Sequence, residues 1–130
     1  MTNRDVPFEV RDFLAKNIAS YEHLELLLFL RKSGPATADA MASAARIPPS
    51  FVDEALLHLV KRGLIHKEGM NFSFAPSENG VATVVDSLAL IYDDDRLAIM
   101  NVMNANAIER VRNQALYVLA DAFIVGRKKE

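Results

Sequence analysis

The chain of 130 residues contains no cysteine, so it has no disulfide framework, no thiolate metal ligand and no cysteine nucleophile. It also lacks a long apolar run: runs such as Leu26 to Leu30 are far below the roughly 18 residues that a membrane span needs. The N-terminal stretch MTNRDVPFEVRDF is charged and has no apolar signal core. These absences predict a soluble cytoplasmic protein with no membrane association.

A basic excess is missing where a nucleic-acid-binding module would be expected to have one. Residues 20–76 contain six basic and six acidic residues, whereas residues 77–126 contain three basic and seven acidic ones. Only the last four residues are basic on balance. Because phosphate neutralisation dominates the affinity for nucleic acids, a dedicated binder more often has a basic module.

Apolar residues, by contrast, are abundant, and they predict a mainly helical domain. The hydrophobic content of 51% supplies a core for one compact domain of this length. Phe8 to Ile18 has helical apolar spacing and predicts a leading helix. Ser20 then caps a second helix, which the cations, glycine and proline of Arg31 to Pro35 end.

Two further helices and a β-hairpin follow in the predicted order. Thr37 caps a short helix, Ala38 to Ala45, and Pro49 or Ser50 begins the next one, which Gly63 closes. The apolar face of that helix consists of Val52, Ala55, Leu56, Leu59 and Val60. Residues 64–67 and 70–75 read as two strands around Glu68-Gly69, and Pro76 ends the second strand.

The stretch VDEALLHLVKRGLI resembles a family pattern, apolar-x-x-apolar-Leu-x-x-Leu-x-x-x-Gly-Leu-Ile. With the order helix, short helix, turn, helix and hairpin, it is similar to winged helix-turn-helix domains of MarR-like and ArsR-like bacterial regulators. An unrelated small α+β core is the alternative. The resemblance implies an α+β fold in which residues 20–76 form the winged helix-turn-helix and long C-terminal helices follow it.

Two other stretches, SYEHLELLLFLRKSG and VLADAFIVGRKK, are similar to a group of small bacterial winged-helix proteins without an assigned activity. The tail of that group reads Phe-Ala-Asp-Ala-Phe-Arg. This chain departs from it, because Leu119 replaces the first Phe and Ile124 stands in the place of the Arg.

The last third of the chain predicts two long helices and a dimer. Ser77, with Glu78 in the first turn, predicts the start of a helix whose apolar stripe continues for about 25 residues and is interrupted by Asp93-Asp94-Asp95. Asn104-Ala105-Asn106 predicts a break before the last helix. Residues 115–125 are apolar almost all round, which a second subunit would cover most simply. Residues 77–126 are therefore predicted to dimerise, with burial inside one subunit as the alternative. The predicted interface residues are Leu88, Ile99, Leu116, Leu119 and Phe123.

No residue pattern favours catalysis, a metal site or a cofactor. The three histidines do not form a zinc-binding motif, and each is predicted to be a solvated surface residue. The run Asp93-Asp94-Asp95 lacks the spacing of a calcium loop and predicts a solvated acidic turn. The chain is therefore predicted not to be an enzyme.

Two functions remain open at this point. The resemblance implies a homodimeric transcription regulator that binds double-stranded DNA. Its candidate basic contacts are explained about equally well as scattered charges that keep the protein soluble. The candidate DNA-contacting residues are Arg46, Ser50, His58, Lys61, Arg62 and Lys67.

The alternative is a winged-helix interaction module or adaptor that does not read DNA. Two adjacent carboxylates on the outer face of a recognition helix are repelled by phosphates. A mixed acidic and apolar face suits a protein partner instead, with an aromatic residue as anchor. The candidate partner-binding residues are Phe51, Asp53, Glu54 and Leu57. If Phe51 folds back against the short helix, this face is an ordinary surface.

Overall fold

The computed structural model describes the backbone of residues 5–128 and the side chains of residues 5–120. It confirms the predicted fold class, a mainly helical α+β structure with a small antiparallel sheet and a long C-terminal helix. The helices are α1 (Phe8–Asn17), α2 (Tyr21–Ser33), α3 (Ala38–Ala45), α4 (Pro49–Lys61), α5 (Val81–Asp94) and α6 (Arg96–Lys128). The strands are β1 (Ala36–Thr37), β2 (Ile65–Glu68) and β3 (Asn71–Phe74).

The predicted N-caps of α2 and α3, Ser20 and Thr37, are confirmed. The Ser20 hydroxyl accepts the backbone N–H of His23, and the Thr37 hydroxyl accepts that of Ala40. Each bond satisfies a donor that the first turn of a helix otherwise leaves unpaired. These two caps fix where α2 and α3 begin.

The sheet has one strand more than the predicted hairpin. β3 lies in the centre and pairs antiparallel with β2 on one side and with β1 on the other. β1 has only two residues, and Ala36 pairs with Phe72. Because its two residues become a strand only through this distant partner, local periodicity does not reveal it.

The start of α5 was predicted wrongly. Gly63 has a φ of 74°, and its carbonyl accepts the backbone N–H of Ser77 over 2.9 Å. A Cβ added to Gly63 would lie 2.5 Å from the Ser77 hydroxyl oxygen. Ser77 is thus held against the turn that leads from α4 into β2, and α5 begins at Val81 instead.

The predicted break at Asn104-Ala105-Asn106 is also wrong, because α6 runs through these residues without interruption. The chain breaks at Asp95 instead, where the side chain accepts the backbone N–H of Ala98 over 3.2 Å. An aspartate caps a helix well, whereas asparagine inside a helix costs only a few tenths of a kcal/mol relative to better helix formers. The acidic run therefore separates α5 from α6.

One hydrophobic core joins the helices and the sheet. The predicted inner face of α4 is confirmed, since Val52, Ala55, Leu56 and Leu59 are buried in it. Leu88 and Ile99, which were predicted to form the dimer interface, are 0% exposed and pack in this core. That prediction is wrong for these two residues, because both are buried within the subunit, where α1 packs against both α5 and α6.

Candidate interaction surface on helix α4

Helix α4 lies on the core with one face and leaves the opposite face open to solvent. It packs against α2 and α3 and leads through Gly63 into β2. Phe51 is 53% exposed and Leu57 is 55% exposed. Asp53 and Glu54 are exposed as well. We call these four residues, Phe51, Asp53, Glu54 and Leu57, the outer α4 surface.

The two carboxylates of the outer α4 surface form no ion pair within residues 5–120, although Lys67 of β2 lines one cleft together with Asp53. Among the side chains described, none of the ion pairs within 4.0 Å involves Asp53 or Glu54. Ser50 and Lys61 are exposed on the same helix. The surface therefore combines two large apolar side chains with two carboxylates that form no ion pair with the described residues. Lys61 lies on the same side of α4, near its C-terminal end.

Two of the six candidate DNA-contacting residues are engaged inside the subunit. His58 Nε2 donates to the Asn17 carbonyl over 2.7 Å, and Arg62 Nε donates to Asn17 Oδ1 over 3.1 Å. Both side chains thus hold the end of α1. His58 is half-buried, while Arg62 is exposed like the other four: Arg46, Ser50, Lys61 and Lys67. Lys67 Nζ lies over the Phe72 ring of β3, 5.7 Å from its centre.

The prediction of solvated histidines is wrong for His23 and His58. Their rings stack with centroids 4.0 Å apart and planes inclined by 11°, and both residues are half-buried. The backbone N–H of Ala19 donates to His23 Nδ1 over 3.1 Å, so that nitrogen carries no proton. Burial, and then the neighbouring His58, lower the pKa of His23 to about 4. At neutral pH the His23 ring is therefore uncharged.

Mild acid is expected to destabilise the fold through His23. The pKa of this residue is about 4 when folded, against an ordinary value of 6.5, so the unfolded chain binds the proton first as the pH falls. Its contribution to the free energy of unfolding is complete above pH 6.5 and is lost towards pH 4. Since the ring is only half-buried, we expect a loss of about 1–2 kcal/mol.

Urea denaturation of the wild-type protein at several pH values between 7 and 4.5 measures this loss. His23→Gln should reduce the pH dependence. His66→Gln changes an exposed histidine and should leave the dependence as it is. Equal pH dependence in the wild type and His23→Gln would show that His23 does not carry the effect.

The end of α1 and the link to α2 are contacted by three side chains from α4, its C-terminal end and α6, which the sequence did not reveal. His58 and Arg62 contact Asn17, and Arg110 of α6 donates to the Ala19 carbonyl over 3.3 Å. Asn17 and Ala19 were not predicted as functional residues. The contacts span up to 91 positions in the sequence, and no local pattern marks them.

A second exposed surface follows the distal part of α6. From Ala107 to Ala120 every side chain is exposed, including the large apolar ones. The large apolar residues here are between 58% and 80% exposed: Ile108, Val111, Leu116, Tyr117, Val118 and Leu119. Leu116 and Leu119 of the predicted interface are thus available for contact, while the side chain of Phe123 lies outside the described residues.

Comparison with known proteins yields no relative. No protein-family model, curated protein or solved structure matches the chain. The resemblance to winged-helix regulators therefore stays a prediction. Among the described residues, no group of three histidine, aspartate or glutamate side chains could hold a metal ion. None of the helices described has the length and apolar character needed to cross a membrane.

Proposed function

We propose that the protein is a dimeric interaction module that binds another protein through the outer α4 surface. One observation carries the proposal: this surface exposes Phe51 and Leu57 beside two carboxylates, while His58 of α4 and Arg62 at its C-terminal end are hydrogen-bonded to Asn17. The residues of α4 that would suit a phosphate backbone are thus partly occupied, and the free ones suit a protein.

The chemistry of the outer α4 surface defines the kind of partner. Covering large apolar side chains that are exposed to solvent lowers the free energy of a complex. Aromatic residues are frequent anchors of interfaces. Carboxylates around such anchors favour a partner that brings lysine or arginine, because opposite charges steer association and exclude other surfaces. We therefore expect an apolar contact that basic residues surround.

Site-specific photo-crosslinking in the source cells tests this function. A photoreactive phenylalanine analogue at position 57 is expected to yield one discrete protein adduct, larger than a dimer of the chain. The matched control places the same analogue at Leu90, a leucine of α5 that is 69% exposed. Equal adducts from both positions, or none from position 57, would count against the proposal.

Double-stranded DNA is the second candidate ligand. The order of α2, α3, α4 and the β2–β3 hairpin favours it, because it is the order that the resemblance to winged-helix regulators implies. Arg46, Lys61 and Lys67 are exposed and would contact phosphates. Asp53 and Glu54 oppose this function, since a phosphate backbone repels both. Crosslinking from position 57 to DNA would support this candidate instead.

The dimer is a separate part of the proposal and rests on α6. The side of α6 that contains Val111 and Val118 also contains Ile108 and Leu119, since these four residues fall within about 100° of one another around the helix. All four are at least 60% exposed, and a second helix along this side would cover them. Ile108, Val111, Ala115 and Val118 are spaced alternately by three and four residues, which is typical of a helix that packs along a second helix.

A further inference from the structure

A cleft of about 430 Å³ opens between the start of α2 and α4, next to the outer α4 surface. Its wall on the α2 side contains Glu22 and His23, and its wall on the α4 side contains Phe51 and Glu54. Phe51 and Glu54 also belong to the outer α4 surface. A partner that covers this surface therefore meets the cleft as well.

The cleft is negatively charged at neutral pH. Glu22 and Glu54 contribute two carboxylates, and neither has an ion-pair partner among the side chains of residues 5–120. His23 is uncharged, because burial and the adjacent His58 lower its pKa to about 4. The positive charge of Arg110 also contributes to the lowered pKa of His23. The Arg110 guanidinium donates to the Ala19 carbonyl.

The walls of the cleft are held in place by contacts that the wall residue His23 makes. The stacked rings of His23 and His58 connect α2 to α4, and His58 is bound in turn to the Asn17 carbonyl. The Ala19 N–H fixes the orientation of the His23 ring. A site that is already ordered loses little conformational entropy when a ligand enters.

We propose that this cleft receives an arginine or lysine side chain of the protein partner, with its cation between Glu22 and Glu54 and against the Phe51 ring. The inference rests on the proposed function of the outer α4 surface and names the chemistry of its partner. Charge complementarity carries it, since two unpaired carboxylates favour a cation. An aromatic face favours guanidinium in addition.

Nuclear magnetic resonance of the full ¹⁵N-labelled chain tests the cleft with a defined probe. N-acetyl-arginine amide is expected to shift the backbone amides of residues 19–23 and 51–55 and to saturate with a Kd in the millimolar range. N-acetyl-citrulline amide has nearly the same shape without the charge and should bind about tenfold more weakly. Equal shifts from both compounds, or no saturable shift, would overturn the inference.

Two glutamine variants locate the binding site of the probe. Glu54→Gln removes one charge from the cleft and is expected to weaken the arginine probe about fivefold. Glu68→Gln removes one charge from the exposed end of β2 and should leave the Kd unchanged. An unchanged Kd in the double variant Glu22→Gln, Glu54→Gln would contradict the proposed contacts.

A second copy of the chain is the competing occupant, because its last residues include Arg127, Lys128 and Lys129. If changing these three to glutamine shifted the cleft amides in the absence of probe, the occupant would be that tail and the inference would be wrong. Leu57→Ser separates the two proposals, since Leu57 does not line the cleft. If Leu57→Ser leaves both the binding of the probe and the affinity for the partner unchanged, the proposed function is wrong and the cleft inference stands.

Discussion

Replacing Phe51 and Leu57 together by serine is expected to raise the Kd for the crosslinked partner about 30-fold or more. Truncating a central interface residue commonly costs about 2 kcal/mol or more, and both side chains stand more than half exposed in the free protein. For the same reason the substitutions remove little of the core, so the free energy of unfolding should change by less than about 1 kcal/mol.

Isothermal calorimetry with the purified partner, together with urea denaturation, gives both quantities. Leu90→Ser is the matched control, since Leu90 is an exposed leucine on a different helix. It should leave the Kd as it is in the wild type. If the double variant binds as tightly as the Leu90→Ser control, the outer α4 surface is not the docking surface.

Replacing Val111 and Val118 together by glutamate is expected to convert the proposed dimer into a monomer. Both valines are about two-thirds exposed on α6 and lie one heptad apart, so they would face the second helix together. Two glutamates from each subunit would then meet in an apolar contact, where unpaired charges are strongly unfavourable. The mass from light scattering should fall from twice 14.4 kDa to 14.4 kDa.

Ala120→Glu is the control for this experiment, because Ala120 lies on the opposite side of α6 from Val111 and Val118. Its mass should stay that of the dimer at tens of micromolar. A monomeric wild-type protein at that concentration would refute the dimer directly. A dimer that survives both glutamates would place the contact on another surface.

The parts of the fold that depend on neighbours in the sequence were predictable. Ser20 and Thr37 cap their helices within three residues, and the apolar face of α4 follows from the helical period alone. Gly63, which the period of α4 places at its end, is required there because its φ is 74°. Phe51, Asp53, Glu54 and Leu57 were likewise placed on the outer face by that period, and all four are exposed.

The remaining errors concern contacts between distant residues. An apolar stripe predicts that Leu88 and Ile99 are covered, but it does not say whether the same chain or a second copy covers them. Likewise, the contacts of His58 and Arg62 with Asn17 span 41 and 45 positions. A charge count along α4 treats both side chains as free, whereas packing against the end of α1 occupies them.

Binding of a fluorescently labelled random DNA duplex, followed by anisotropy at low salt, tests most directly whether α4 meets a protein or DNA. The unpaired carboxylates of Asp53 and Glu54, and the engagement of His58 and Arg62, predict a flat titration up to tens of micromolar protein. Micromolar or tighter affinity that falls steeply as salt is raised would contradict the account and establish DNA as a ligand.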